Sequence, residues 1–179
     1  SQKVLVDILN ASMRNEKFEG NYKSINWSNV IDEATTHNVK GLTYSALNVY
    51  GKRNMDNRSL TSWRQDAFCK GIAQRNYVRS ISQIIQKLEE ENIEVICLGG
   101  VIAKTLYQIQ EMRVIDRGIL LVKDESKIEN IINILNKMGY SVAEETEYVT
   151  VLKKDLHITI ELRSSIVDKR YWSGDVSRL

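Results

Sequence analysis

The sequence predicts an α+β fold in which a helical N-terminal region packs on a small mixed β-sheet. Apolar residues recur at helical intervals through the first half of the 179-residue chain. From Ile93 onward, short apolar runs alternate with helical patterns, and two alternating runs close the series. This change of character predicts a helical region over residues 1–92 and a mixed α/β core over residues 93–179.

Three short helices are expected before residue 52. The first carries apolar residues at helical spacing and ends near Asn15. Asn26 or Ser28 can cap a second helix through "NVIDEATTHN", because both side chains can accept a hydrogen bond from a free backbone amide. A third helix continues beyond Lys40, and Gly51 is expected to end it.

The longest helical pattern runs from Asn57 to about Asn92. Its apolar residues form one broad face, which predicts a helix packed along much of its length. Gly71 is a position at which this helix can be interrupted, because glycine is a weak helix former. The acidic run from Glu89 to Glu91 is expected to end it.

The second half predicts the order strand, helix, strand, helix, strand, strand. "IEVICLGG" and "GILLVKD" are short apolar runs typical of buried strands. "DESKIENIINILNKMGY" has Asp124 or Ser126 as an N-cap and Gly139 at the position that favours glycine after a helix. "EYVTVLKKDLHITIEL" alternates apolar and polar residues on both sides of a Lys-Lys-Asp turn, which predicts a hairpin.

Composition narrows the class of protein. The chain has 25 Lys and Arg against 23 Asp and Glu, and a net charge of +2 gives no strong signal for a nucleic-acid partner. Cys69 and Cys97 lie among apolar neighbours, which predicts buried thiols in a reducing compartment. His37 and His157 are too far apart in sequence to indicate a zinc site. The reducing compartment that the cysteines indicate predicts a cytoplasmic location. No membrane span and no signal peptide are expected.

A glycine pair, Gly99 and Gly100, stands between the first predicted strand and the helix after it. Glycines at such a turn let a ligand approach the backbone, and the following helix N-terminus favours a phosphate. Lys104 and Arg113 can add cationic contacts. A strand-to-helix turn also often uses glycine for packing alone, so the pattern leaves both interpretations open.

Motifs in a fixed order give the chain a resemblance to a known family. They are "NWSNVIDEATTHNVKGLTYSAL", "CLGG", "TLY", Arg113, "ILLV", "MGY" and "IELR". In this order they resemble the nucleotidyltransferase-like superfamily, and within it the bacterial family usually labelled uncharacterised nucleotidyltransferase. The resemblance extends from about Leu5 to Trp172.

The resemblance implies a reaction and its cofactors. Members of this superfamily transfer a nucleoside monophosphate from a nucleoside triphosphate (NTP) to an acceptor, and Mg²⁺ is expected with the NTP. Two carboxylates come from an Asp-x-Asp strand, because residues two apart point to one face, and a third comes from a neighbouring strand. The acceptor is unknown, and a small molecule or a sugar is one expectation. The implied ligand is a nucleotide or another phosphate.

When the family's site residues are matched position by position to this sequence, the resemblance assigns nucleotide binding to Gly99 and Gly100. Lys104 and Arg113 are then supporting cations. Glu161 matches the third acid. "HITIELR" places it on a polar strand face with His157, Thr159 and Arg163. A solvated strand glutamate without a special role is the alternative interpretation of Glu161.

The two aspartates of the family's Asp-x-Asp strand, called the metal strand below, correspond to Arg117 and Ile119 in this chain. Neither side chain binds metals. Asp116 is a candidate catalytic acid only if a bulge near Gly118 turns it onto the other face of the strand. Arg117 can instead supply a fixed positive charge to a bound phosphate. We therefore expect no metal site.

Three hypotheses follow. The first is a nucleotidyltransferase with weak or lost metal-dependent activity, because Arg117 and Ile119 replace the carboxylate pair. The second is a non-catalytic nucleotide- or anion-binding module, or a regulatory module, on the same fold. The third is a structural partner domain in which the glycine turn serves packing alone.

Overall fold

The computed structural model describes residues 2–155 and 158–166, which form an α+β fold with a helical N-terminal region. The predicted fold class is therefore confirmed. The chain divides into two compact units, one built from Ser1–Asn76 with Ala103–Val114 and the other from Tyr77–Ile102 with Ile115–Leu179. The boundary between residues 92 and 93 stays a prediction.

The helical unit contains four complete helices and the first part of a fifth. They are α1 (Gln2–Met13), α2 (Trp27–Thr36), α3 (Lys40–Ala46), α4 (Val49–Arg53) and α5 (Asn57–Glu90), of which α5 continues into the second unit. Their buried apolar side chains form one core cluster, which includes Ile8, Trp27, Val30, Leu47 and Trp63. The indole Nε1 of Trp63 donates a hydrogen bond of 3.0 Å to the Lys40 carbonyl, so its polar atom is satisfied in that core.

Local capping explains where the short helices begin and end. The Asn26 side chain accepts a hydrogen bond of 3.1 Å from the Asn29 amide, so Asn26 rather than Ser28 caps α2. The prediction that Gly51 ends the third helix is wrong. Helix α3 ends at Ala46, and the Asn48 side chain accepts a 2.8 Å hydrogen bond from the Gly51 amide and starts the separate helix α4.

Helix α5 is continuous over 34 residues, and Gly71 does not interrupt it. An alanine Cβ at that position would have its nearest neighbours at 3.8 Å, so glycine there meets no packing requirement.

Among the described residues, α5 included, no helix is both long and apolar enough to cross a membrane. Cys69 is exposed on this helix, so the prediction of a buried thiol is wrong for Cys69.

The second unit holds a mixed five-stranded sheet in the order β1-β2-β5-β4-β3. Strands β2 and β5 are parallel, and the other neighbours are antiparallel. The elements are β1 (Val95–Leu98), α6 (Gly100–Ala103), β2 (Gly118–Val122), α7 (Ile128–Lys137), β3 (Ser141–Glu145), β4 (Val149–Lys154) and β5 (Ile158–Arg163). His157 and the segment from Val167 onward, with Trp172, lie outside the described residues.

The sequence patterns missed one strand and overestimated one helix. Every residue of β3 is exposed, and the strand contains a register shift between Val142 and Glu144, so it lacks the apolar alternation that marks a strand. The helix expected after the glycine pair is only the four-residue α6, followed by 3₁₀ turns at Lys104–Leu106 and Gln110–Met112. So short a helix has only a small dipole.

The sheet buries one face under α7 and the second part of α5. Alternate residues of β2, β4 and β5 join this core with helical side chains that include Ile81, Ile84, Leu88, Ile131 and Leu135. Gly118 lies on the same face, where its missing side chain leaves room for Ile81. The next residue along each strand points to the opposite face, and that face carries the candidate site.

We expect Gly118→Ala to destabilise the protein. An added Cβ would lie 2.6 Å from the Ile81 Cδ1 and 3.2 Å from its Cγ1, inside a closed core. Overpacking of this kind costs about 1–3 kcal/mol of unfolding free energy, measurable by urea denaturation.

Gly71→Ala is the matched control, because it adds the same methyl group at an interior position of α5 where the nearest atoms are at an ordinary contact distance of 3.8 Å. It should stabilise the protein by about 0.5–1 kcal/mol through helix propensity. Equal effects of the two substitutions would contradict the packing role of Gly118.

Candidate functional site

Four of the positions assigned by the resemblance, Gly99, Arg117, Ile119 and Glu161, lie close together at one face of the sheet. Leu98 of β1 is the register partner of Ile119 in β2, and Ile119 is the partner of Glu161 in β5. Directly paired residues point to the same face, so the three side chains form one row across the strands. A Cβ placed on Gly99 would lie 3.6 Å from the Ile119 Cδ1, which brings the glycine turn next to this row.

Glu161 is buried and holds two guanidinium groups. Its side chain is 3% exposed, and its Oε2 accepts a hydrogen bond of 3.2 Å from the Arg117 Nη1. Its other oxygen, Oε1, accepts a hydrogen bond of 2.5 Å from the Arg163 Nε and also contacts the Arg163 Nη2. The interpretation of Glu161 as a solvated strand glutamate is therefore wrong. A buried carboxylate needs such partners, because desolvation of an unpaired charge is costly.

Asp116 does not join this group on the sheet. Register between β2 and β5 runs without a shift from Gly118 to Leu121, so no bulge turns the strand there. The Asp116 side chain is 82% exposed, and its Oδ2 lies 4.0 Å from the Arg117 Nε. The hydrogen bond to Glu161, with added attraction from the charges of Glu161 and Asp116, raises the pKa of the Arg117 guanidinium. Arg117 thus carries a permanent positive charge at this position.

The donor set does not fit Mg²⁺. A magnesium ion takes about six oxygen ligands, with carboxylates supplying the protein's share. Positions 117 and 119 hold a cation and an alkyl group, while both oxygens of Glu161 contact arginines. Within residues 2–155 and 158–166, there is no group of three or more His, Cys, Asp or Glu side chains that could hold a metal.

Backbone geometry and packing account for both glycines of the pair. Gly99 has a φ of +72°, a conformation that favours glycine. A Cβ on Gly100 would lie 2.7 Å from the Ile115 Cγ2, and the branched side chain of Ile115 has little freedom to move away. The glycine pair is consistent with a phosphate turn but does not require one.

Lys104 and Arg113 belong to the helical unit, where both have internal partners. The Lys104 Nζ donates hydrogen bonds to the Gln74 Oε1, at 2.9 Å, and to the Arg113 carbonyl. Only 2% of Lys104 is exposed. Burial, with a smaller contribution from the charge of Arg113, lowers the pKa of the Lys104 amine to about 8. Arg113 donates from Nη1 to the Val114 carbonyl at 2.6 Å. These hydrogen bonds hold the Lys104 amine against Gln74 and the backbone of Arg113.

Sequence reasoning placed Arg163 on the polar face of β5 but gave it no role. Its side chain is one-third exposed. It contacts Oε1 of Glu161, whereas Arg117 contacts Oε2. The signal lay in "IELR", where a glutamate and an arginine stand two residues apart on a strand. Cys97, whose thiol pKa is raised by burial, lies on the opposite, core-facing side of β1.

Lys104→Met should change how stability depends on pH. The pKa of the Lys104 amine is about 8 in the folded protein and about 10.5 in the unfolded chain. Between pH 8 and pH 10.5 the unfolded chain therefore binds this proton more tightly than the folded protein does. Unfolding free energy should therefore rise from pH 8 to pH 10.5 in the wild type, by up to about 3 kcal/mol from this lysine. The Met variant should lose that rise.

Denaturant unfolding at pH 7.5 and pH 10 measures the difference between the two proteins. Lys153→Met, at an exposed lysine of β4, is the control for the same substitution at a surface lysine. An unchanged dependence in Lys104→Met would show that its amine titrates normally in the folded protein.

A family comparison covers most of the chain and includes the residues of the sheet described above. The model of a family described as uncharacterised nucleotidyltransferase matches residues 23–178. No curated protein and no solved structure matches the chain. The match agrees with the motif order from "NWSNV" to "IELR". The chain therefore belongs to the uncharacterised nucleotidyltransferase family.

Proposed function

We propose that this chain binds the phosphates of a nucleotide without a metal ion and that it has weak or no metal-dependent nucleotidyl transfer. The observation that carries the proposal is the ion pair between Arg117 and the buried Glu161. Arg117 stands at the first position of the metal strand, so its guanidinium brings a fixed positive charge to the place where the family resemblance implies a metal.

The loss of metal-dependent transfer follows from charge and coordination. To bind Mg²⁺, Glu161 would have to give up its contacts with two arginines, which already neutralise its charge. The guanidinium of Arg117 would also repel the incoming cation. Ile119, beside Glu161 in the row, offers no ligand atom in return.

Phosphate binding is supported by the charge that remains. Arg117 and Arg163 carry two positive charges against the single negative charge of Glu161. The Arg117 side chain is 54% exposed, so an anion can reach it from solvent. Asp116 opposes this attraction weakly, because its carboxylate is exposed and 4.0 Å away. Arginine suits the role because its planar group can bind two phosphate oxygens at once.

Family membership favours a second candidate, residual transfer of a nucleoside monophosphate to a small acceptor. That activity would need Mg²⁺ and a carboxylate cluster. The two candidates differ in one measurable property, since metal-dependent transfer requires Mg²⁺ and the proposed binding does not.

Calorimetric titration with ATP and the other NTPs, in EDTA and in MgCl₂, separates the two candidates. We expect binding in EDTA, with Mg²⁺ leaving the affinity unchanged or lower because it neutralises the phosphates. Arg117→Ala should weaken binding by roughly tenfold or more, since a hydrogen bond to a charged group contributes about 1.5–3 kcal/mol. Binding seen only with Mg²⁺ would overturn the proposal.

Restoring the family carboxylates tests the position of the site. In the double variant Arg117→Asp with Ile119→Asp, two new acids would point to the face that holds Glu161. We expect this variant to bind Mn²⁺ or Mg²⁺ and to gain thermal stability with added metal, because the ion relieves repulsion between the acids.

The matched control is Arg117→Asn with Ile119→Asn, which introduces side chains of similar size without the negative charges. It should show little metal-dependent stabilisation. If the aspartate and asparagine variants respond equally to metal, positions 117 and 119 do not belong to a metal strand.

A further inference from the structure

We infer that Arg163 acts with Arg117 as a two-arginine clamp for a terminal phosphate, a dianionic phosphomonoester group. This inference rests on the proposed function and deepens it, because it adds a second binding residue and names the chemical group that the site recognises. The evidence lies in the contacts of the two guanidinium groups with Glu161, in their exposure and in their strand positions.

The sheet places both arginines on one face. Arg163 follows Glu161 by two residues on β5, so both side chains leave the strand on the same side. Arg117 comes directly before β2, and it reaches Glu161 from the neighbouring parallel strand. Each arginine binds a different oxygen of the same carboxylate. The two guanidinium groups are therefore held close together by one buried anion.

Exposure shows which groups a ligand can reach. The Glu161 side chain is 3% exposed, whereas those of Arg163 and Arg117 are 33% and 54% exposed. The carboxylate thus lies beneath the two cations, and the cations face the solvent. A ligand that approaches this face meets two guanidinium groups before it meets the carboxylate.

The chemistry favours a dianion. Two arginines and Glu161 leave one net positive charge, which the exposed carboxylate of Asp116, 4.0 Å from Arg117, offsets in part. Each guanidinium has five N–H donors, of which the Glu161 contacts use only some. A terminal phosphate offers three oxygens and up to two negative charges, so it can contact both arginines at once. A phosphodiester has one negative charge and fewer free phosphate oxygens. A nucleoside has no phosphate and therefore offers no negative charge to the arginines.

Binding of inorganic phosphate, AMP, ATP and adenosine, measured by calorimetry in EDTA, tests the clamp. The wild type should bind the first three ligands and not adenosine. Arg163→Ala should weaken binding of phosphate and AMP by about tenfold or more. Arg163→Lys should give intermediate affinity, because lysine keeps the charge and its pairing with Glu161 but lacks the planar pair of donors.

Lys153→Ala is the matched control. Lys153 lies on β4 opposite Thr159, on the same sheet face as Glu161, and its removal changes the net charge by the same amount. Its effect on phosphate binding should stay within about twofold, as expected for a screened surface charge. Thermal melting verifies that each variant is folded, and Arg163→Lys carries the test if Arg163→Ala does not fold.

The outcomes separate this inference from the proposed function. If the wild type binds ATP in EDTA but the Arg163 variants lose no more affinity than Lys153→Ala, the clamp is overturned while nucleotide binding stands. If the wild type binds none of the phosphates, the proposed function fails and the clamp fails with it. Equal affinity for AMP and adenosine would overturn the assignment of a terminal phosphate.

Discussion

The parallel pairing of β2 with β5 is the constraint on which the candidate site depends. Its register puts Glu161 beside Ile119 and within reach of Arg117. A shift of one residue would turn Glu161 into the core, where α5 and α7 pack. Gly118 helps to fix the arrangement, because the absence of a side chain lets Ile81 approach the start of β2. Core packing on one face of the sheet therefore determines which charged groups meet on the other.

A buried carboxylate needs positive charge near it, and here two arginines supply that charge. A guanidinium and a metal ion can both neutralise an acid, but their chemistry differs. Bound Mg²⁺ polarises phosphate oxygens and activates a hydroxyl, whereas a guanidinium donates hydrogen bonds and keeps its protons. In the proposed site, an arginine at the position where the resemblance implies an acid would preserve attraction for a phosphate and would not activate the attacking group. Binding without transfer is the consequence we propose.

The sequence predicted those parts of the fold whose patterns are local. Helix α7 and strands β1, β2, β4 and β5 have apolar spacing matched to their structure, and Gly139 lies after α7 with a φ of +89°. Strand β3 was missed because all of its residues are exposed. The burial of Glu161 also escaped prediction, since it depends on Arg117, which is 44 residues away in the chain and becomes a neighbour only through strand pairing.

Nearness in sequence to a glycine turn is a poor guide to which cations can bind a phosphate. Lys104 follows Gly100 by four residues, yet its amine is buried and hydrogen-bonded to Gln74 and to a backbone carbonyl. Releasing that amine would leave Gln74 and the carbonyl without this donor, which is costly in a buried position. Arg163 is far from the turn in sequence, but its strand position places it beside Glu161 with part of its side chain in solvent. The partners that a cation already holds, together with its exposure, decide whether it can bind an anion, and by both measures Arg117 and Arg163 are better candidates than Lys104.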